Sequence, residues 1–399
     1  MAQLPEEVFM KRMILTALVL VAAMGLNAQV IKIATQSPLS GGQSAFGEQL
    51  KLGAQYAVEE AQANFKKLGF DLQLTPYDDQ ANPDTGVSNA NRIINDPDIV
   101  GVVGHFNSGV AIPSSEVYKT VNLVMVSPAN TNPRVTDRLL ANVNRICGRD
   151  DVQGPAGAAF AVNELKAKKI FVLNDKSAYG QGLAQAFKDA AVKLGASIPD
   201  SAFVGTEEKT NFIPIITQIL AFNPELVYFG GTYDQIGPFT KQLRERGVKT
   251  PILGGDGLDS GDYINLAGAA NATNTYYTTV AGPVSSFPKA AALAKGFKAK
   301  FGKDLEGFGI YSYDSAKIIL NALEAAIKAN GGKKPSRDAV TKAVRSIKYD
   351  GLTGLVTFDS KGDIAKADYF ILKYDAAGVY ANNKVIKSVS VDAPAAPKS

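Results

Sequence analysis

Short apolar runs recur along this chain, each followed by a turn rich in Gly, Ser and Pro and then by an amphipathic stretch. The runs occupy 30–35, 71–77, 98–104, 122–127, 168–175, 224–231, 251–255 and 275–280. Several are apolar at consecutive positions, as in DIVGVVG (98–104) and KKIFVLND (168–175). A strand reads this way when both of its faces are buried, which is the condition inside a parallel sheet covered by helices on each side. Between the runs, 47–65, 150–167 and 180–194 are helix candidates. In the last of these, Leu183, Phe187, Ala190 and Leu194 recur at spacings of three or four and mark one apolar stripe. Strand alternating with helix means βαβ units, hence an α/β fold of doubly wound sheets.

Two such sheets fit, so two Rossmann-like lobes joined by a hinge are expected. The first four runs supply one lobe and the series from Lys168 the other. The helical patterns at 286–301 and 311–329 return to the first, and GLTGLVTFDSKGD (351–363) reads as strand, turn, strand. The expected division is 29–149 plus 280–370 for the first lobe and 150–279 plus 371–389 for the second. The Pro-rich tail, 390–399, reads as disordered.

The N-terminal segment constrains the compartment. Lys11 and Arg12 precede a run of twelve almost wholly apolar residues, Met13 to Met24, and small residues follow. That is the layout of a secretory signal peptide over 1–28, cut after Ala28, and the run is too short to span a bilayer. Residues 1–9 look unlike a signal start, so Met10 is the candidate initiator. A single Cys147 excludes an intramolecular disulfide, and a single His105 excludes His-rich metal sites. The net charge of +4 comes without a basic block, which argues against a nucleic-acid partner.

Ligands of open α/β sheets bind beyond the carboxyl ends of the strands. Those ends here are dense in hydroxyl-bearing and glycyl residues: SPLSGGQSAFG, GHFNSG, SPANTNP, NDKSAYGQG, GGTYDQ and GGDG. No phosphate loop, dinucleotide fingerprint, nucleophile elbow, CxxC or HExxH motif occurs. His105 precedes Ser108 by three residues, which leaves a Ser–His nucleophile conceivable. Asp78 and Asp79 form either a paired-acid or cation site or, more simply, a turn and helix cap. Ser108 should open a helix, where free amides and a hydroxyl can take a carboxylate, and Thr131 adds a second hydroxyl. Both are equally read as plain N-caps. Asp256, between glycines, is either the partner of an ammonium group or part of a turn.

Taken in order, PLSGGQSAFGEQLKLGA, YDDQANP, GVVGHFNSG, VSPANTNP, RICGRDDVQGP, DKSAYGQGLA, VYFGGTYDQIGP, LGGDG and YSYDS resemble the periplasmic branched-chain amino acid binding proteins of ABC transporters, the type I solute-binding group. The resemblance covers 30–363. It implies a two-lobed binding protein, not an enzyme, with no cofactor and no metal, exported to the periplasm. It also implies a monomer that delivers an apolar amino acid to an ABC permease and its ATPase subunits, without inserting in the membrane. The same fold also serves other small ligands, such as aromatic acids, amides or urea derivatives. By the resemblance, Ser108 and Thr131 hold the ligand carboxylate, the Ala129 carbonyl and Asp256 take the amine, and Phe46 and Tyr179 cover the side chain. Phe106, Asn107 and Asp150 fall on further pocket-wall positions. Phe46 and Asp256 stand where well-known members carry Tyr and Glu, and a tyrosine those members have near Thr232 is read as missing.

Overall fold

The computed structural model describes residues 28–395. The expected signal segment therefore lies outside the described residues, apart from Ala28. The first sheet is built from β1 (Gln29–Ser37), α1 (Ser44–Lys67), β2 (Phe70–Asp78), α2 (Pro83–Asn95), β3 (Ile99–Gly104), α3 (Ser108–Lys119), β4 (Val124–Ser127) and β5 (Val143–Arg145). Its strands run parallel in the order β2-β1-β3-β4-β5. Burial explains the choice. All six residues of β3 and all four of β4 are buried, whereas β2, at the edge, alternates and tolerates Pro76. Neighbouring residues feed opposite faces: Ile33 and Val103 join one apolar cluster, Ala34 and Val102 another.

The second sheet repeats this winding. It contains α4 (Asp150–Ala159), β6 (Ile170–Asn174), α5 (Ala178–Lys193), β7 (Phe203–Gly205), α6 (Ile213–Phe222), β8 (Leu226–Gly230), α7 (Tyr233–Glu245), β9 (Ile252–Gly254), α8 (Asp262–Ala267), α9 (Ala269–Ala272) and β10 (Thr275–Thr279). The parallel part has the order β7-β6-β8-β9-β10, the same permutation as the first sheet. The chain then returns through α10 (Ala291–Phe301), α11 (Gly307–Ala329) and α12 (Arg337–Arg345), with α11 lying along α1. A two-stranded piece pairs β11 (Tyr349–Asp350) with β12 (Leu355–Val356); of the strand, turn, strand expected at 351–363 only β12 falls inside, its partner preceding the segment.

Two expectations are corrected here. The lobe boundary placed at 370 falls inside β13 (Lys366–Lys373): residues 370–373 pair antiparallel with β10, and the earlier ones pair only with the last strand of the same sheet. The tail expected to be disordered from 390 is in part a strand. β14 (Lys384–Asp392) pairs with β13 through Asp392, because backbone pairing to a neighbour holds a polar, exposed edge strand that its composition alone would not. Among the described residues, no helix is long and apolar enough to cross a membrane.

In an order of this type the winding reverses between the first and third strands, and a crevice opens there. The first sheet reverses between β1 and β3, the second between β6 and β8. The two crevices face each other. The loops after β1, β3, β6 and β8 together line a cavity of about 660 Å³ between the lobes, with Gln43, Asn107, Ser108, Asp175, Tyr179 and Thr232 on its walls.

Candidate functional site

On the first lobe, Ser108 is the first residue of α3 and is buried. The opening amides of a helix have no intrahelical acceptor. Asn107, the preceding residue, does not cap them with its side chain; its Nδ2 donates instead to Gln43 Oε1 at 2.8 Å. Thr131 is brought alongside by Asn130, which sits between the loops after β3 and β4. The Asn130 side chain accepts from the His105 amide at 3.0 Å and donates to the Phe106 carbonyl at 2.7 Å. The Asn132 amide donates to Ser108 Oγ at 3.3 Å. The Thr131 hydroxyl is buried, with no hydrogen-bond partner among the described residues.

On the second lobe, Asp256 follows β9 and is almost fully buried. Its Oδ1 accepts from the Tyr179 hydroxyl at 2.8 Å and from Gln153 Nε2 at 2.9 Å. The Tyr179 hydroxyl in turn accepts from the Gly257 amide at 2.8 Å. Gly255 allows this approach, since a Cβ there would stand 2.3 Å from Leu183 Cδ2 and 2.7 Å from the Tyr179 oxygen. Burial pushes the Asp256 carboxyl up to about 6 although both hydrogen bonds pull it down. Asp150, the first residue of α4, is buried with neither carboxylate oxygen hydrogen-bonded. Burial first, and then the charge of Asp256, raise it well above the usual carboxylate range; the neighbouring Thr131 hydroxyl opposes this without completing a bond. Two desolvated carboxylates at one spot favour a cation beside them, because burial raises the proton affinity of each and a positive charge offsets that.

The aromatic residues pack against one another and against the polar groups of the site. Phe46 lies in the first turn of α1, stacked on Phe106 with centroids 4.2 Å apart and edge-on to Tyr233 and Phe308. Gly47 lets the loop after β1 fold back to seat it, since a Cβ there would fall 1.8 Å from the Pro38 carbonyl oxygen. Tyr233, which directly follows Thr232, packs edge-on against Phe46 from the opposite lobe. Tyr179 orients Asp256 through its hydroxyl, a function the sequence did not signal. Gln153 escaped notice too, though it lies one helical turn from Asp150 on the same face. Two further contacts cross between the lobes: Gln43 Nε2 to Thr232 Oγ1 at 3.0 Å and Asn132 Nδ2 to the Ala178 carbonyl at 2.6 Å.

The rival chemistries find other partners. His105 stands 3.6 Å from Asp79 and 3.4 Å from the Tyr118 hydroxyl, while Ser108 Oγ meets the Asn132 amide, so no Ser–His pair forms. Asp78 accepts from the Leu39, Ser40 and Gln80 amides and the Ser40 hydroxyl, and Asp79 from the Ala81 amide. Both aspartates are turn formers.

Two wound lobes facing across a cavity, with an unpartnered buried hydroxyl at Thr131 beside the unpaired Asp150 and with Asp256 next to it, define a binding protein for a small polar-ended ligand. The chain matches the periplasmic binding protein family over residues 30–379 and belongs to it; the family is one of binding proteins, not enzymes. It is 34% identical over 91% of its length to an amino acid binding protein of Pseudomonas aeruginosa, 96% of which is covered. A Leu/Ile/Val-binding protein homologue of Brucella abortus is 34% identical over 89% of this chain and 93% of its own. The crystal structure of a leucine binding protein from Thermotoga maritima superposes with a TM-score of 0.80 at 27% identity, covering 90% of this chain and 98% of that one.

Proposed function

We propose that this chain is the periplasmic substrate-binding component of an ABC importer, taking up a branched-chain or other apolar amino acid. The observation that carries the reading is the cluster beside the interlobe cavity: Ser108 and Tyr179 on its walls, the unpartnered Thr131 hydroxyl next to the unpaired Asp150, and Asp256 held by Tyr179. The ligand carboxylate docks on the first lobe, where the amides and dipole of α3 and two hydroxyls favour an anion. The ammonium then meets Asp256, with Asp150 as a second counter-charge and the Ala129 carbonyl as acceptor. That carbonyl has no donor among the described residues, whereas those of Asn130, Thr131 and Asn132 are all taken. Each end of a zwitterion contacts a different lobe, so the ligand stabilises the closed arrangement, and the closed protein docks on the permease. Phe46, Phe106 and Tyr233 supply an apolar wall for the side chain.

The test is calorimetric titration of refolded, ligand-free protein with leucine, isoleucine, valine and phenylalanine, and with isocaproate, which is leucine without its amine. Saturable binding of an amino acid that is absent with isocaproate and lost in Asp256→Ala is expected. Equal binding of isocaproate and leucine would falsify the zwitterion grip.

A further inference from the structure

The loop carrying Thr131 is held from behind by a charged cluster that touches no proposed ligand atom. Arg145, the last residue of β5, is fully buried. Its Nη1 donates to the carbonyls of Asn130 at 2.9 Å and Asn132 at 3.0 Å, the two that flank Thr131. The Thr131 carbonyl accepts the Asp150 amide at 2.9 Å, so three successive carbonyls of the loop are pinned. On its other edge the guanidinium meets Asp363 Oδ1 through Nε at 2.9 Å and Nη2 at 2.7 Å. Asp363 Oδ2 accepts from Arg149 Nη1 at 2.8 Å and lies 3.2 Å from Lys361 Nζ.

The position of this cluster in the chain gives it a second meaning. Residues 146–149 carry the chain from β5 in the first sheet to α4 in the second lobe, and Asp363 lies just before β13, where it passes to the second sheet again. The Arg145 amide donates to the Gly362 carbonyl at 2.8 Å, and Arg145 and Asp363 form a parallel bridge. One guanidinium therefore contacts the ligand loop and Asp363 at one crossover, while the backbone of Arg145 runs directly into the other. Arginine's planar fork can hold two carbonyls and a carboxylate at fixed angles, which a lysine ammonium cannot. A buried ion pair is weak as a source of stability alone, so its geometry is the more informative property.

We infer that Arg145, locked by Asp363, is a positioning residue: it presents the Thr131 hydroxyl to the ligand and ties that loop to the hinge. The inference rests on the reading that Thr131 grips the ligand. The experiment is a double-mutant cycle on the full chain, with leucine affinity measured calorimetrically in wild type, Thr131→Ala, Arg145→Lys and the double variant. Arg145→Lys should weaken leucine about tenfold in the wild-type background and less than about twofold beside Thr131→Ala. The thermal midpoint should fall equally in both backgrounds, since lost packing does not depend on the Thr131 hydroxyl. Equal affinity losses in the two backgrounds overturn the inference while leaving the Thr131 grip intact. Unchanged affinity in Thr131→Ala alone overturns the grip, and the inference with it. Should Arg145→Lys fail to fold, Asp363→Asn, which keeps shape and an acceptor oxygen but removes the locking charge, decides the same cycle.

Discussion

Lowering the pH should weaken amino-acid binding and at the same time relieve the empty protein, and Asp256 sets where both happen. Its carboxyl is raised to about 6 by burial, with Tyr179 and Gln153 opposing. An ammonium requires the charged form. At pH 7 about nine-tenths of Asp256 is ionised and at pH 5 about one-tenth, so the dissociation constant for leucine should rise about tenfold, or about 1.4 kcal/mol. Leucine's own end groups stay charged across that interval. Asp150 adds to the effect, because two carboxylates in one desolvated spot titrate as a pair and the ammonium expels protons from both. Stability of the empty protein runs the opposite way. A folded-state pKa above the unfolded value means the native state holds more protons between about pH 6 and pH 4, so Asp256's contribution to stability improves as pH falls through that window. Calorimetry at pH 5, 6 and 7 in two buffers of different ionisation enthalpy gives both the affinity and the protons released. A dissociation constant unchanged between pH 5 and 7, with no proton release, would refute the placement of Asp256 against the amine. Asp256→Asn is the control, with weak binding and a flattened profile expected.

Tyr179→Phe removes the hydroxyl that donates to Asp256 and accepts from the Gly257 amide. Leucine should bind about tenfold more weakly, and the midpoint of the pH profile should move above 6, since a bond that favours the carboxylate is lost; the same calorimetric series reads both. Gln43→Ala cuts the side chain that links Asn107 to Thr232 between the lobes. A faster leucine dissociation rate and about fivefold weaker affinity are expected in stopped-flow fluorescence, with the thermal midpoint of the empty protein little changed.

What could be read from the residues, and what could not, follows the reach of each signal. All eight apolar runs contain strands, because a strand buried on both faces leaves its mark within six residues of itself. β5 carries Asn and Arg and β7 is only partly buried, so neither leaves an apolar run to read. β13 and β14 are held by antiparallel partners at the sheet's edge, so their register depends on chain far away. Several of the hydroxyl- and glycine-rich strand ends line the interlobe cavity, since the winding reverses there. Tyr179 was visible as a tyrosine near that place, but the direction of its hydroxyl is set by Asp256 and Gly257, which the chain brings in from another βα unit. Asp150 and Asp256 each look ordinary in their own segments, one opening a helix and one in a glycyl turn. Only the apposition of α4 and the loop after β9 makes them a pair, and under the proposed grip it is the pair, more than either residue, that meets the ammonium.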